Sequence, residues 1–127
     1  MEVNERFLRV YQKSEIVFQE NSLGEELFII STGHVKLSTC ATGSELSLAI
    51  LGPGDFFREM ALVDEGTRTA TATALDDNTL LVCLDQFKFL YLVGQQPPFA
   101  LTIMRGLCQR IRERWDLYSR LPEKTVY

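Results

Sequence analysis

Histidine is nearly missing from this 127-residue sequence, where His34 stands alone. A metal centre built on strands needs several imidazoles or thiolates converging on one point, so no metal is expected. A nucleophilic triad would have to use His34 itself, and no serine or cysteine has a visible histidine partner, so no catalytic residue is assigned. His34 follows Gly33 and is expected to be an exposed strand residue. Cysteine is scarce and odd in number. Cys40, Cys83 and Cys108 share no CxxC spacing and lie in apolar stretches, which predicts buried, reduced thiols in a cytoplasmic protein. Long apolar runs are missing too, so neither a membrane span nor a secretory signal in the opening Met1–Val10 is expected. Positive charge is not in excess. The net charge of −4 gives no general field for nucleic acid or an acidic membrane. No segment repeats or is low in complexity.

What is present is an ordinary globular balance, 46% hydrophobic and 24% charged, enough for one core and too short for two domains. A single domain over 1–127 is therefore expected. Short apolar stretches at Ile16–Phe18, Leu27–Ile30, Val35–Leu37, Leu46–Leu51, Thr69–Ala74 and Leu80–Leu84 alternate with glycine-marked turns. That rhythm predicts an antiparallel sandwich or barrel, with strands over about 14–84. The stretch Asp55–Val63 breaks the rhythm, since Glu59, Met60, Ala61 and Leu62 are good helix formers, and one helical turn is expected there. Beyond Leu84 the character becomes helical, over about 85–121. Asp85 is a candidate N-cap for a short helix closed by Gly94, and Pro97-Pro98 opens a longer one. In that second helix Ala100, Ile103, Met104, Leu107, Cys108, Ile111, Trp115 and Tyr118 form one apolar stripe.

One constellation in the middle third points to a ligand. A Gly-Pro-Gly turn leads to a short helix bearing Glu59, and Gly66-Thr67-Arg68 returns close by. First-turn amides of a helix, near Ala61 and Leu62, favour an anion, and an arginine beside them makes a phosphate cradle. Glu59 next to such a cradle suits a ligand that offers a hydroxyl beside its phosphate, as a ribose 3′,5′-cyclic phosphate does. A plain Glu59–Arg68 ion pair without ligand accounts for the same spacing, and both stay open at this point.

Several blocks resemble the cyclic nucleotide-binding domain family. They are Glu15–Phe18, Gly24–Ile30, Gly33–Leu37, Leu51–Phe57, Glu59–Leu62 and Arg68–Thr71, and the resemblance as a whole covers about Tyr11 to about Arg120. The resemblance implies a mainly β fold with C-terminal α, an antiparallel β-roll (jelly roll) with a short cassette helix and C-terminal helices. It implies a non-catalytic regulatory module binding cAMP or cGMP as ligand, with no cofactor. By position, Glu59 corresponds to the acceptor of the ribose 2′-hydroxyl and Arg68 to the phosphate partner. Met60, Ala61, Leu62, Thr69 and Ala70 correspond to residues lining phosphate and base. Arg58 departs from the pattern, since the family has glycine there. Arg58 is expected to project into solvent, the alternatives being a second cation on the phosphate or an obstruction of the pocket.

The arginines of the second helix are read as a solvated face and not as a nucleic-acid site; a helix-turn-helix has no room after them in this sequence, so the expectation is either that a DNA-reading part is absent or that this is an excised domain. Output is expected through movement of the C-terminal helices onto an unknown effector. A homodimer near Leu107, Ile111 and Trp115 is the candidate assembly. The alternative function is a structural or dimerising β-roll with a degenerate pocket, or a sensor of another small anion.

Overall fold

Period-two alternation and glycine turns dominate the chain as far as Leu84, and the backbone follows them. The computed structural model describes residues 7–40, 43–58, 66–67 and 70–119. Its strands are β1 (Leu8–Tyr11), β2 (Ile16–Phe18), β3 (Leu23–Gly24), β4 (Leu27–Thr32), β5 (Val35–Thr39), β6 (Leu46–Leu51), β7 (Phe56–Phe57), β8 (Gly66–Thr67), β9 (Thr71–Ala74) and β10 (Thr79–Leu84). Two helices follow, α1 (Gln86–Gln95) and α2 (Pro98–Ser119). Pairing is antiparallel throughout. One four-stranded sheet has the order β1-β10-β4-β7, a second the order β2-β9-β5-β6, and β3 and β8 form a two-stranded pair.

The core draws on both large sheets. Phe28, Ile30, Phe57, Leu81 and Cys83 come from the first, and Phe18, Val35 and Ala72 from the second. In β9 the alternation expected from Thr-Ala-Thr-Ala is realised, since Ala72 and Ala74 are fully buried while Thr71 and Thr73 are half-buried. Leu81, Val82, Cys83 and Leu84 instead form a continuous buried run, because β10 is flanked by β1 and β4 and covered on both faces. The architecture is the expected antiparallel β-roll followed by helices. Contacts along the chain resolve it into two compact units, Glu2–Tyr91 and Leu92–Tyr127, so α1 begins in one and ends in the other.

Four expectations are corrected. Only Cys83 is buried; Cys40 and Cys108 are exposed, and all three thiols are free. Cys40 lies just past the end of β5, and Cys108 lies about 140° around α2 from the buried Ile103. The second correction concerns Asp55–Val63, whose start is a strand: Phe56 and Phe57 pair with Ile29 and Phe28 of β4. The cassette turn itself falls outside the described residues. Third, Gly94 lies inside α1, which runs to Gln95; the break comes where Gln96 precedes Pro97, a position that disfavours helical backbone. Asp85 does cap α1, its Oδ1 accepting the Lys88 amide at 2.8 Å. Fourth, β1 went unforeseen. Two of its four side chains are exposed and two are half-buried, while Phe7, just before it, is buried.

Candidate functional site

The entrance to the site is made by the Gly52-Pro53-Gly54 turn. The Asp55 carboxylate accepts the Gly52 amide at 2.9 Å, and the Gly54 and Asp55 backbones bond to Ile30 of β4. Gly54 adopts φ +88°, a left-handed conformation that glycine reaches without a Cβ penalty. This turn delivers Phe56 and Phe57, both buried. The Phe57 ring stacks on Phe28 with centroids 5.2 Å apart, and Phe18 packs against both rings. β7 is thus a rigid platform ending one residue before the cassette.

Arg58 is that residue. Its φ is +67°. The other described non-glycine residues with positive φ are Ser14, Asn21 and Asn78, all in turns, and asparagine is the residue most tolerant of this region. A long-chain residue in left-handed backbone costs on the order of 1–2 kcal/mol relative to ordinary φ. The side chain does not project into solvent as expected. It is half-buried, with Nη2 donating to the Gly24 carbonyl at 3.4 Å. Its Nε is shut off from solvent without a hydrogen-bond partner among the described residues. Left-handed backbone turns the Cβ away from the direction that ordinary φ would give, and this arginine reaches the end of β3 at Gly24.

The exit from the site is made by β3, β8 and β9. Gly24 stands opposite Gly66 and Leu23 opposite Thr67, so β8 ends immediately before Arg68. Ala70 is half-buried, and β9 begins at Thr71. The Thr71 hydroxyl accepts the Glu20 amide at 2.9 Å. The Glu20 carboxylate in turn accepts from the Thr39 hydroxyl at 2.5 Å and from the Cys40 amide at 3.0 Å. The Thr39 bond, then the Cys40 bond, hold the Glu20 carboxyl below its ordinary pKa. Thr71, Glu20, Thr39 and Cys40 therefore link the end of the cassette to the tip of the β5–β6 hairpin. Sequence reasoning missed this role for Glu20, whose only signal was an acidic residue in a polar turn.

Of the expected site residues, Arg58 and Ala70 fall among the described ones, at the two ends of the cassette. Glu59, Met60, Ala61, Leu62, Arg68 and Thr69 lie outside the described residues. The exposed His34 lies just before β5, with Nδ1 2.7 Å from the Asp76 carboxylate, away from these segments in sequence. A depression lined by Gln95 to Phe99 and Thr102 lies wholly in the C-terminal unit and shares no residue with the cassette.

Comparison with known proteins decides the family. The cyclic nucleotide-binding domain family matches residues 8–96, which spans the ten strands among the described residues and α1. The chain belongs to the cyclic nucleotide-binding domain family. It is 38% identical over 106 residues to the cyclic AMP receptor protein of Thermus thermophilus, covering 83% of this chain and 49% of that protein. It is 32% identical over 90 residues to the cGMP-dependent protein kinase, isozyme 1, of Drosophila melanogaster, covering 68% and 12%. The crystal structure of the Thermus thermophilus catabolite activator protein superposes with a TM-score of 0.71 at 38% identity, covering 88% of this chain and 54% of that one. The chain spans about half the length of the Thermus relative and a smaller part of the kinase. Among the described residues of this cyclic nucleotide-binding domain, no helix is long and apolar enough to cross a membrane.

Proposed function

We propose that this domain binds a cyclic nucleotide and acts as a regulatory module. The observation that carries the reading is the family match across residues 8–96, with the Glu59-to-Arg68 spacing inside it. The platform at Phe57 precedes that segment and the β3–β8 pair stands just before Arg68, which supports the reading. In this reading Arg68 pairs the cyclic phosphate, and Glu59 accepts the ribose 2′-hydroxyl. Amides near Ala61 and Leu62 add to the phosphate cradle, and Met60, Thr69 and Ala70 line the phosphate and base. No bond of the nucleotide is made or broken. The domain takes the nucleotide as ligand and passes the change to a partner through its C-terminal helices.

Relatives named for cAMP and for cGMP both match, so neither base is favoured by likeness alone. Thr69 follows the phosphate arginine, where a hydroxyl can also reach the exocyclic amine of a syn guanine. The two nucleotides are therefore expected to bind within about tenfold of each other, a difference of about 1.4 kcal/mol. Calorimetric titration with each nucleotide tests the reading. Heat of binding saturating at one nucleotide per chain is expected, and no binding of either would refute it.

A second reading is favoured by one observation. Arg58 occupies left-handed backbone where the family pattern has glycine, which is what a partly disabled pocket would show. Under that reading Arg58→Gly tightens nucleotide binding at least tenfold.

A further inference from the structure

We infer that Arg58 is a positioning residue, whose guanidinium straps the β3–β8 pair to the end of β7 and so sets the strand leading into Arg68 before any ligand arrives. The inference rests on the nucleotide reading for its effect on affinity, but not for its effect on the fold.

The strap follows from where the strain lies. Backbone outliers in otherwise regular folds persist where surrounding structure holds them, and they cluster at ligand clamps. Glycine would occupy φ +67° freely, whereas asparagine or serine fills each of the other positive-φ sites outside glycine. At Arg58 the conformation does something those residues could not. It directs a long side chain to the end of β3, where Nη2 meets the Gly24 carbonyl at 3.4 Å. Gly24 faces Gly66 across the two-residue β3–β8 ladder, and Arg68 is the second residue after Gly66.

The ladder needs such help. A two-stranded pair is marginal by itself, and β3 and β8 have no third strand beside them among the described residues. Leu23 is 79% exposed, so no burial of that side chain anchors β3. Phe57, by contrast, is fixed by two aromatic neighbours, so a tie from the next residue transfers rigidity from the core to the ladder. A binding residue held in its competent position before ligand arrives raises apparent affinity by the reciprocal of the competent fraction. Arg58 thus acts through Arg68 and need not touch the nucleotide.

The test uses Arg58→Asn, which tolerates the backbone and is too short to reach Gly24, with Arg58→Lys as the conservative variant. Amide exchange is followed in the nucleotide-free protein, and cAMP and cGMP are titrated calorimetrically. Arg58→Asn is expected to speed exchange at Leu23, Gly24, Gly66 and Thr67 about tenfold while β4 and β10 stay protected. Affinity for both nucleotides is expected to fall about fivefold, as when a competent fraction drops to roughly one in five. Arg58→Lys should recover most of both losses. Arg58→Gly, which relieves the backbone outright, serves should Arg58→Asn fail to fold. Unchanged exchange in the ladder overturns the strap whatever the affinity does, and lost affinity without faster exchange assigns Arg58 to direct ligand contact. Tighter binding also overturns it, because the arginine is then an obstruction. If the wild type binds neither nucleotide, the function falls, and exchange alone decides the strap.

Discussion

β10 buries five of its six side chains, whereas α2, over its described side chains from Pro98 to Glu113, buries Phe99 and Ile103 alone. Composition separates them in part, since β10 is apolar at five of its six positions while α2 carries four arginines among its 22 residues. Position does the rest. β10 has hydrogen-bonded neighbours on either side, β1 and β4, and its side chains enter a core shared by two sheets. In α2, Leu101, Met104 and Ile111 are each at least half exposed, at 51%, 57% and 67%. Stability is concentrated in the roll, and the second helix has apolar surface in reserve.

The largest effect that sharpens the contrast is at the centre of the roll. Phe28 is 1% exposed and contacts the rings of Phe18 and Phe57. Phe28→Ala is expected to cost about 3–5 kcal/mol of unfolding free energy, read from urea titration. A loss below about 1 kcal/mol would mean that the aromatic cluster is not the keystone of the core. Next comes the site that the roll supports. Arg68→Ala is expected to remove about 2–5 kcal/mol of nucleotide binding, the scale for truncating one partner of a buried charge pair. A folded variant that binds like wild type would break the proposed phosphate contact.

How much of this was legible in advance differs between the same two regions. In the roll, alternation in Thr71–Ala74 and the runs at Leu27–Ile30 and Leu80–Leu84 carry their burial in the residue pattern, because strand neighbours lie at a fixed spacing. The two-residue strands β3, β7 and β8 were illegible, since two residues hold no period. In the site, the Glu59-to-Arg68 spacing could be read, but not the direction of Arg58. That depends on backbone φ, and a residue type alone does not state it. In α2 the stripe was visible at once. Its degree of cover was not, because periodicity shows which side chains share a face and not what lies against it. The expected burial of Cys108 failed for the same reason, and that of Cys40 because it lies just past the end of β5.

The thiols offer a smaller but sharper measure. At low protein concentration, a thiol reagent should modify Cys40 and Cys108 rapidly in the native state and Cys83 only on unfolding. Rapid reaction at all three would contradict the buried β10. Burial also pushes the Cys83 thiol from its ordinary 9.0 up to about 12, with Glu26 adding to the rise and Arg9 and Lys88 opposing it. The sign follows from proton linkage. Above pH 9 the unfolded chain releases a proton that the folded one keeps, so the stabilisation is complete below 9 and is lost as pH climbs toward 12. Burial raises the Tyr11 phenol in the same direction, so wild type is compared with Cys83→Ala over that window. The alkaline decline should be shallower in the variant. An identical slope would exclude Cys83 as a source.

The smallest expected effect on the fold is at Ile111, and there the contrast is most exposed to failure. Met104, Cys108, Ile111, Trp115 and Tyr118 follow one another at alternating steps of four and three, the spacing of a seam between paired helices. A surface isoleucine that touches little should be replaceable, so Ile111→Lys is expected to change unfolding free energy by no more than about 0.5 kcal/mol. If α2 pairs with a second copy, the assembly expected from its sequence, the wild type sediments as a dimer at high micromolar concentration and Ile111→Lys as a monomer. Labelling of Cys108 should then slow as wild-type concentration rises, while labelling of Cys40 stays constant. A wild type that remains monomeric with and without nucleotide ends the pairing. A loss of several kcal/mol on Ile111→Lys in a monomer would do more, because it would place α2 with β10 as a structural element and remove the contrast between them.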